Sequence, residues 1–344
     1  MDFLIEFLKK LENIKVISII GLAKNVSKTT TLNYIIRNIG NQVTLGLTSI
    51  GRDGEKYDVI TDLPKPQIYV KKGTYVVTAQ QCFEESKIEF QTIKSTGFNT
   101  PLGEIIILRA LSEGYIELAG PSINKQLLVI CSELRNLGCD LILVDGAFDR
   151  RAYATPLISD ATILSTGASV SRSMKEVIKL SLHTVEILSL EPEKDLKVLN
   201  LSKDLLNKSK VSIIDKFYSV NRLDVITALE SAQEITKNLN IDSRFVIING
   251  AITDKLLEEL MTSTQKYKGI TFIVEDSTKL FLSENTTKKF LKKGGILKVL
   301  NSINLIAITI NPTSPYGYEF NKDTFLRLMQ EEVKIPVYNL GVND

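Results

Sequence analysis

Residues 15–30 read KVISIIGLAKNVSKTT, and this stretch decides the fold. Residues 15–20 are a short apolar run of the kind that makes a buried strand. Gly21 then opens a loop of small and polar residues, and Lys28-Thr29-Thr30 leads into a helical pattern over residues 29–38. In that order of strand, loop and helix, backbone N–H groups wrap phosphate oxygens at a helix N-terminus, where the dipole favours anions. On this reading Gly21, Asn25, Val26, Ser27, Lys28, Thr29 and Thr30 line a nucleotide site. Lys28 is its catalytic cation at the β and γ phosphates, Thr29 places its hydroxyl on Mg²⁺, and Thr30 helps hold the α phosphate. The competing reading is an ordinary strand-to-helix turn whose Lys-Thr-Thr happens to start a helix.

Ser27 stands where the pattern G-x-x-x-x-G-K-[ST] has its second glycine. A side chain there either crowds the phosphate or takes an unfavourable φ, at a cost on the order of 1–2 kcal/mol. A second segment strengthens the phosphate reading. In LILVDGAFDRR four apolar residues deliver Asp145 to the carboxyl end of a buried strand, where a carboxylate can hold Mg²⁺ through water beside the loop. Arg150 and Arg151 follow it, facing either phosphate or, more simply, solvent and surface acids.

The rest of the chain bounds the answer. Its 344 residues suffice for one large α/β domain or two ordinary ones. Apolar residues make up 44% and charged residues 24%, a globular balance. A net charge of +2, from 42 basic and 40 acidic residues, argues against nucleic acid or a membrane surface as partner. Cys82, Cys131 and Cys139 form no C-x-x-C pair, so neither a disulfide frame nor a zinc site is indicated and a reducing cytoplasm is expected. His183 is the only histidine, which excludes a His-pair mechanism within one chain, and it is expected to be an ordinary helix residue. The opening MDFLIEFLKKLENIK has apolar residues at helical spacing with Asp2 and Glu6 among them, an amphipathic docking helix rather than a signal peptide. No apolar run reaches the ~18 residues of a membrane span.

Short apolar runs alternate with helical periodicity, the signature of βα units. The expected fold is α/β, a doubly wound, mostly parallel sheet with a P-loop NTPase core and a second α/β half. Strands are expected at 15–20, 42–47, 141–145 and 161–165, and helices near 122–137 and 173–190. Added edge strands, some antiparallel, are expected near 67–119. The charged stretch EPEKDLKVLNLSKDLLNKSK marks the expected boundary, giving domains 1–205 and 206–344, the latter a separate α/β domain or a sheet extension. In it strands are expected at 211–214, 244–248, 270–274, 304–310 and 336–339, with helices near 225–239, 253–261 and 323–332. Residues 96–104, 119–125 and 165–173 each combine glycine with hydroxyl residues, and their expected convergence on one sheet edge implies a site larger than a nucleotide. NPTSPYGYEF (311–320) reads as an ordered loop.

Gly21 lies seven positions before Lys28, a longer loop that resembles dethiobiotin synthetase and its relatives in the MinD-like branch of P-loop proteins. That resemblance makes Lys24 a candidate second phosphate-facing lysine, although its offset from Lys28 is one residue short of the MinD pattern. It also makes Asp53, in TSIGRDGE, a candidate catalytic switch carboxylate positioning the metal or the attacking water; Gly51 and Gly54 around it equally suit a plain surface turn. Taken with GLAKNVSKTTTLNYI, STGFNTPLGE and CDLILVDGAFDRRAYATPLISDATILSTGAS, the chain resembles the B subunit of the lysine 5,6-aminomutase reactivases. The resemblance covers the first half well; the second half adds only GAITDKLLEEL and NPTSPYGYEF. It implies a nucleotide-binding accessory protein that helps reactivate a cobalamin- and pyridoxal-phosphate-dependent aminomutase, working with a companion ATPase subunit and Mg²⁺ with ATP or GTP. No N-K-x-D guanine motif is present, which leaves the base open. Two other readings stand beside it: a degenerate P-loop scaffold without hydrolysis, and an ATP-dependent ligase or kinase similar to dethiobiotin synthetase.

Overall fold

The computed structural model describes residues 14–39, 42–50, 67–146 and 155–340. The expected N-terminal docking helix, as far as residue 13, Asp53 with its flanking glycines, and Arg150 and Arg151 lie outside these. The chain divides into two compact units, one made of residues up to Leu182 together with those from Asn304 onward, the other His183–Ile303.

The first unit is mixed α/β, built on a large, mostly parallel sheet. Its order is Val337–Asn339, Leu305–Asn311, Ala161–Gly167, Val16–Gly21, Leu141–Asp145, Leu45–Ser49, Tyr75–Ala79, Gly103–Ala110 and Phe90–Thr100. All neighbours up to Tyr75–Ala79 pair in parallel; the last two strands are antiparallel, as the alternating texture of 67–119 anticipates. Central strands are buried on both faces, which is why they read as unbroken apolar runs. Ile17, Ile19, Leu47 and Leu143 pack on one face against Leu32, Ile35, Ile36 and Ile39 of the helix Lys28–Ile39. Val16, Ile142 and Val144 pack on the other against Leu127, Ile130, Cys131 and Leu134 of the helix Asn124–Asn136. Each such side chain contributes roughly 1.5–3 kcal/mol on burial, so Leu143→Ala is expected to cost about 2–5 kcal/mol. Burial pushes the Cys131 and Cys139 thiols up to about 12, so neither is a thiolate at neutral pH.

The second unit has a smaller sheet in the order Val220–Leu223, Val211–Asp215, Ser243–Ile248, Thr271–Val274 and Ile296–Val299. The last three strands are parallel, and Val211–Asp215 is antiparallel to both of its neighbours. Tyr267 stacks on Phe290 at 5.5 Å between ring centres, and Phe272 meets Phe290 edge-on at 5.4 Å.

Three expectations need correction. The charged stretch 191–210 is not a boundary, since it lies inside the second unit and carries the helix Leu196–Leu205. Asp195 caps that helix by accepting from Lys197 N and Val198 N, and buried Glu193 accepts from Lys298 Nζ at 3.2 Å. Asp195 and Glu193 thus serve a cap and an ion pair within a folded segment. The domain division 1–205 and 206–344 moves accordingly: Leu305–Asn311 and Val337–Asn339 return to the first sheet, where Ile308 sits opposite Leu164 and Val337. The sheet-extension alternative thus holds for that part, while His183–Ile303 forms a compact unit of its own. The second strand runs Leu45–Ser49, later than expected, because Thr44 N is turned toward Asp140 Oδ2 at 2.8 Å.

Candidate functional site

The site grows from the end of Val16–Gly21. A Cβ on Gly21 would meet Val26 Cγ2 at 2.7 Å and Lys28 Nζ at 3.0 Å, so the loop folds back over the strand end and lays Lys28 across it. Only glycine leaves that space open. The loop is tied at several points. Leu22 N donates to Ser165 O at 3.0 Å, Ser169 Oγ donates to Lys24 O at 3.0 Å, and Val26 is buried. Asn25 and Ser27 adopt φ of +58° and +66°. Asparagine tolerates that region, whereas serine bears a strain of about 1 kcal/mol. The backbone at Ser27 therefore follows the conformation that glycine takes freely.

The helix Lys28–Ile39 starts directly after, with Ser27 O accepting from Thr31 N at 2.9 Å and from Thr31 Oγ1 at 3.1 Å. Thr29 and Thr30 are half-buried in its first turn, beside amides that have no partner within the helix. Lys28 Nζ lies 3.5 Å from Ala23 O. The result is a cation above a helix N-terminus, an arrangement that attracts a polyanion.

Asp145 ends the adjacent strand, in register with Ile19 on one side and Ser49 on the other. Its Oδ1 is buried without a hydrogen-bond partner. The residue keeps some accessible surface, but Oδ1 has none, and it is the buried carboxylate end that sets desolvation. Burial pushes the carboxyl up to about 6, with the Lys28 ammonium opposing the shift. An orphaned acceptor beside a lysine, with Ser49 on the next strand end, is a fit for a hydrated cation. Among the described residues no three His, Cys, Asp or Glu gather to hold a metal, so a cation here would draw its remaining ligands from hydroxyls, water and phosphate oxygens.

The loops named by the sequence meet this edge of the sheet. Residues 119–125 reach it through Gly120, whose N donates to Ser49 Oγ at 3.1 Å, and whose Cβ, if present, would lie 1.8 Å from Ser49 O. Residues 96–104 form the turn joining the two antiparallel strands, beside the end of Tyr75–Ala79, where Gln81 N donates to Leu102 O at 3.1 Å. Residues 165–173 touch the loop itself, as above. The 311–320 segment is a two-strand hairpin, Thr313–Ser314 with Tyr318–Glu319, and Tyr318 Oη donates to Ala168 O at 2.6 Å.

Sequence reading missed one feature, a buried hydroxyl chain. Thr31 Oγ1 and Thr309 Oγ1 are 2.9 Å apart, and Thr309 Oγ1 and Ser165 Oγ 2.8 Å, linking the first helical turn to two strands. Its signal was present as hydroxyl residues inside the apolar runs ATILSTG and LIAITIN. His183 is buried on the helix Met174–Leu188, its Nε2 at 2.8 Å from Leu282 O. No helix among the described residues is long and apolar enough to cross a membrane. No family model matches the chain, and neither does any curated protein or solved structure.

Proposed function

We propose that the chain binds a magnesium nucleoside triphosphate, ATP or GTP, at the 21–30 loop of a P-loop NTPase core. In this reading it serves as an accessory protein in reactivating a cobalamin-dependent aminomutase of the lysine 5,6-aminomutase type. The observation that carries the nucleotide reading is the folded-back loop: Lys28 lies over Gly21 while the adjacent strand end holds Asp145 with an unpartnered, buried oxygen. The aminomutase assignment rests on the sequence resemblance, and a companion ATPase subunit comes with it.

The roles follow from chemistry. Gly21, Asn25, Val26 and Ser27 supply the backbone that approaches the phosphates, and Lys28 supplies a point charge at the β and γ positions. Lys24 is a second candidate for phosphate. Thr29 and Asp145 would hold Mg²⁺, Asp145 through water, and Thr30 would steady the α phosphate. The metal, when bound, neutralises charge between the β and γ phosphates. Asp53 keeps its proposed switch role. Nucleotide acts as a conformational lever when segments held by the γ phosphate relax on its loss.

Calorimetric titration with Mg-ATP and Mg-GTP tests this. The parent chain is expected to bind one of them saturably, and Lys28→Ala to lose at least about 100-fold in affinity, near 2.7 kcal/mol. Equal binding by both chains, or none by the parent, overturns the nucleotide reading. In a reactivation assay with the companion subunit and the aminomutase, omitting this chain is expected to abolish recovery; unchanged recovery overturns the aminomutase role alone. Ser27 with its positive φ supports a second reading, binding without hydrolysis, for which saturable binding with no phosphate release is the expected result.

A further inference from the structure

The second unit has a cleft that the nucleotide reading leaves unused. Its volume is about 480 Å³, within the range of roughly 300–1,000 Å³ typical of small-ligand sites. It lies where Ser243–Ile248 ends, beside the start of Val211–Asp215 and the end of Val220–Leu223. Of these, Ser243–Ile248 brings the carboxyl end of a parallel strand, the kind of edge where open α/β sheets take ligands.

Lys208, Ser209, Lys210, Arg222 and Asn249 line it, with Asp224 the one carboxylate of the lining. Three cations against one acid make it an anion-attracting wall. Lys208 is engaged with Asp204 at 2.7 Å, whereas Lys210 and Arg222 make no ion pair among the described residues. With Asp224 the one acid among them, the cleft keeps an excess of positive charge, and an anion held there offsets it.

The wall is also pre-shaped. Asn249 N donates to Lys210 O at 2.8 Å, and Asn249 Nδ2 donates to Leu206 O, clamping the turn that carries the lysines. Ser209 N and Lys208 N both donate to Leu205 O, at 3.0 and 2.9 Å. Arg222 is the cross-strand partner of Ser212, whose Oγ is 2.6 Å from Ser209 Oγ, so guanidinium and hydroxyls share one face of the sheet. A forked guanidinium, lysine point charges and hydroxyls suit the several oxygens of a phosphate better than a single carboxylate.

We propose that this cleft binds the phosphate moiety of a small organic phosphate, independently of the 21–30 loop. The probe is pyrophosphate, titrated calorimetrically into the full chain carrying Lys28→Ala, which removes the loop's own lysine. One saturable site per chain is expected, weakened at least about ten-fold when Lys210→Gln and Arg222→Gln are added. Citrate, anionic through carboxylates alone, is expected to bind at least about ten-fold more weakly than pyrophosphate. Absence of a saturable site, no effect of the added substitutions, or citrate binding as well as pyrophosphate would each overturn the proposal. Both substituted side chains are exposed, and a far-ultraviolet spectrum like the parent's excludes misfolding as the cause of a loss. The outcome is independent of whether the loop binds nucleotide.

Discussion

Both units end parallel strands in a row of loops at the carboxyl edge, yet the two edges are built from opposite materials. At the first edge the loops press onto strand ends with backbone close to backbone, a strained Ser27 and a buried carboxylate. At the second, an unstrained turn carries exposed cations over an open cleft. The first edge holds the Asp145 carboxyl out of water beside a half-buried Lys28, so that carboxyl is coupled to folding. The second holds its charge on the surface, where side chains change with little consequence for the fold. The difference separates an edge whose charged groups are fixed by packing from one whose charged groups stand on the surface.

The sharpest way to break the comparison is Gly120→Ala. With the added Cβ 1.8 Å from a backbone oxygen, the loop must leave Ser49. A loss on the order of 4 kcal/mol is expected by urea denaturation; a loss under about 1 kcal/mol would mean the edge is not closely packed.

Asp145→Asn tests the buried charge through pH. The carboxyl titrates near 3.8 when unfolded and at about 6 in the fold. Between those values the fold keeps a proton that the unfolded chain has released, so stability falls as pH rises through that window, and the loss is complete above it. In the absence of nucleotide, the Asn variant is therefore expected to be more stable than the parent at neutral pH by about 2–3 kcal/mol, with no gain near pH ~3. Equal denaturation midpoints at both pH values would place the carboxylate in contact with solvent.

Ser27→Gly relieves the positive φ but loosens the unfolded chain, so a net gain of about 0.5 kcal/mol is expected, with nucleotide affinity retained. A thermal scan beside the titration checks both, and a loss of affinity would show that the serine side chain itself serves the nucleotide. At the second edge, Lys210→Gln with Arg222→Gln is expected to change stability by less than about 0.5 kcal/mol. A larger shift in the denaturation midpoint would mean these cations are structural, and the contrast between the edges would fail.

Much of this was legible in residue order. The run LILVD appears as Leu141–Asp145, and the strand of KVISII and the helix of KTTTLNYII differ from their expected bounds by a residue at either end. Local patterns suffice there because those strands are buried on both faces and the helix has one apolar stripe. Helix Glu284–Lys292 was missed although Ser283 caps it by accepting from Thr286 N, since its apolar stripe is narrow among threonines and lysines. The strand Val220–Leu223 was missed because it is an exposed edge, where apolar periodicity has nothing to report.

The amino-acid order by itself determined the alternation of strands and helices, the strand–loop–helix path through Gly21 and Lys28, and Asp145 at a strand end. Those depend on neighbours within a few residues, through φ preferences, apolar period and helix starts. Only the tertiary structure decided that Leu305–Asn311 returns to the first sheet, that Thr31, Thr309 and Ser165 share one hydroxyl chain, and that Arg222 faces the cleft of Lys210. Pairing partners far apart in sequence are selected by burial and register, which no local window of residues contains.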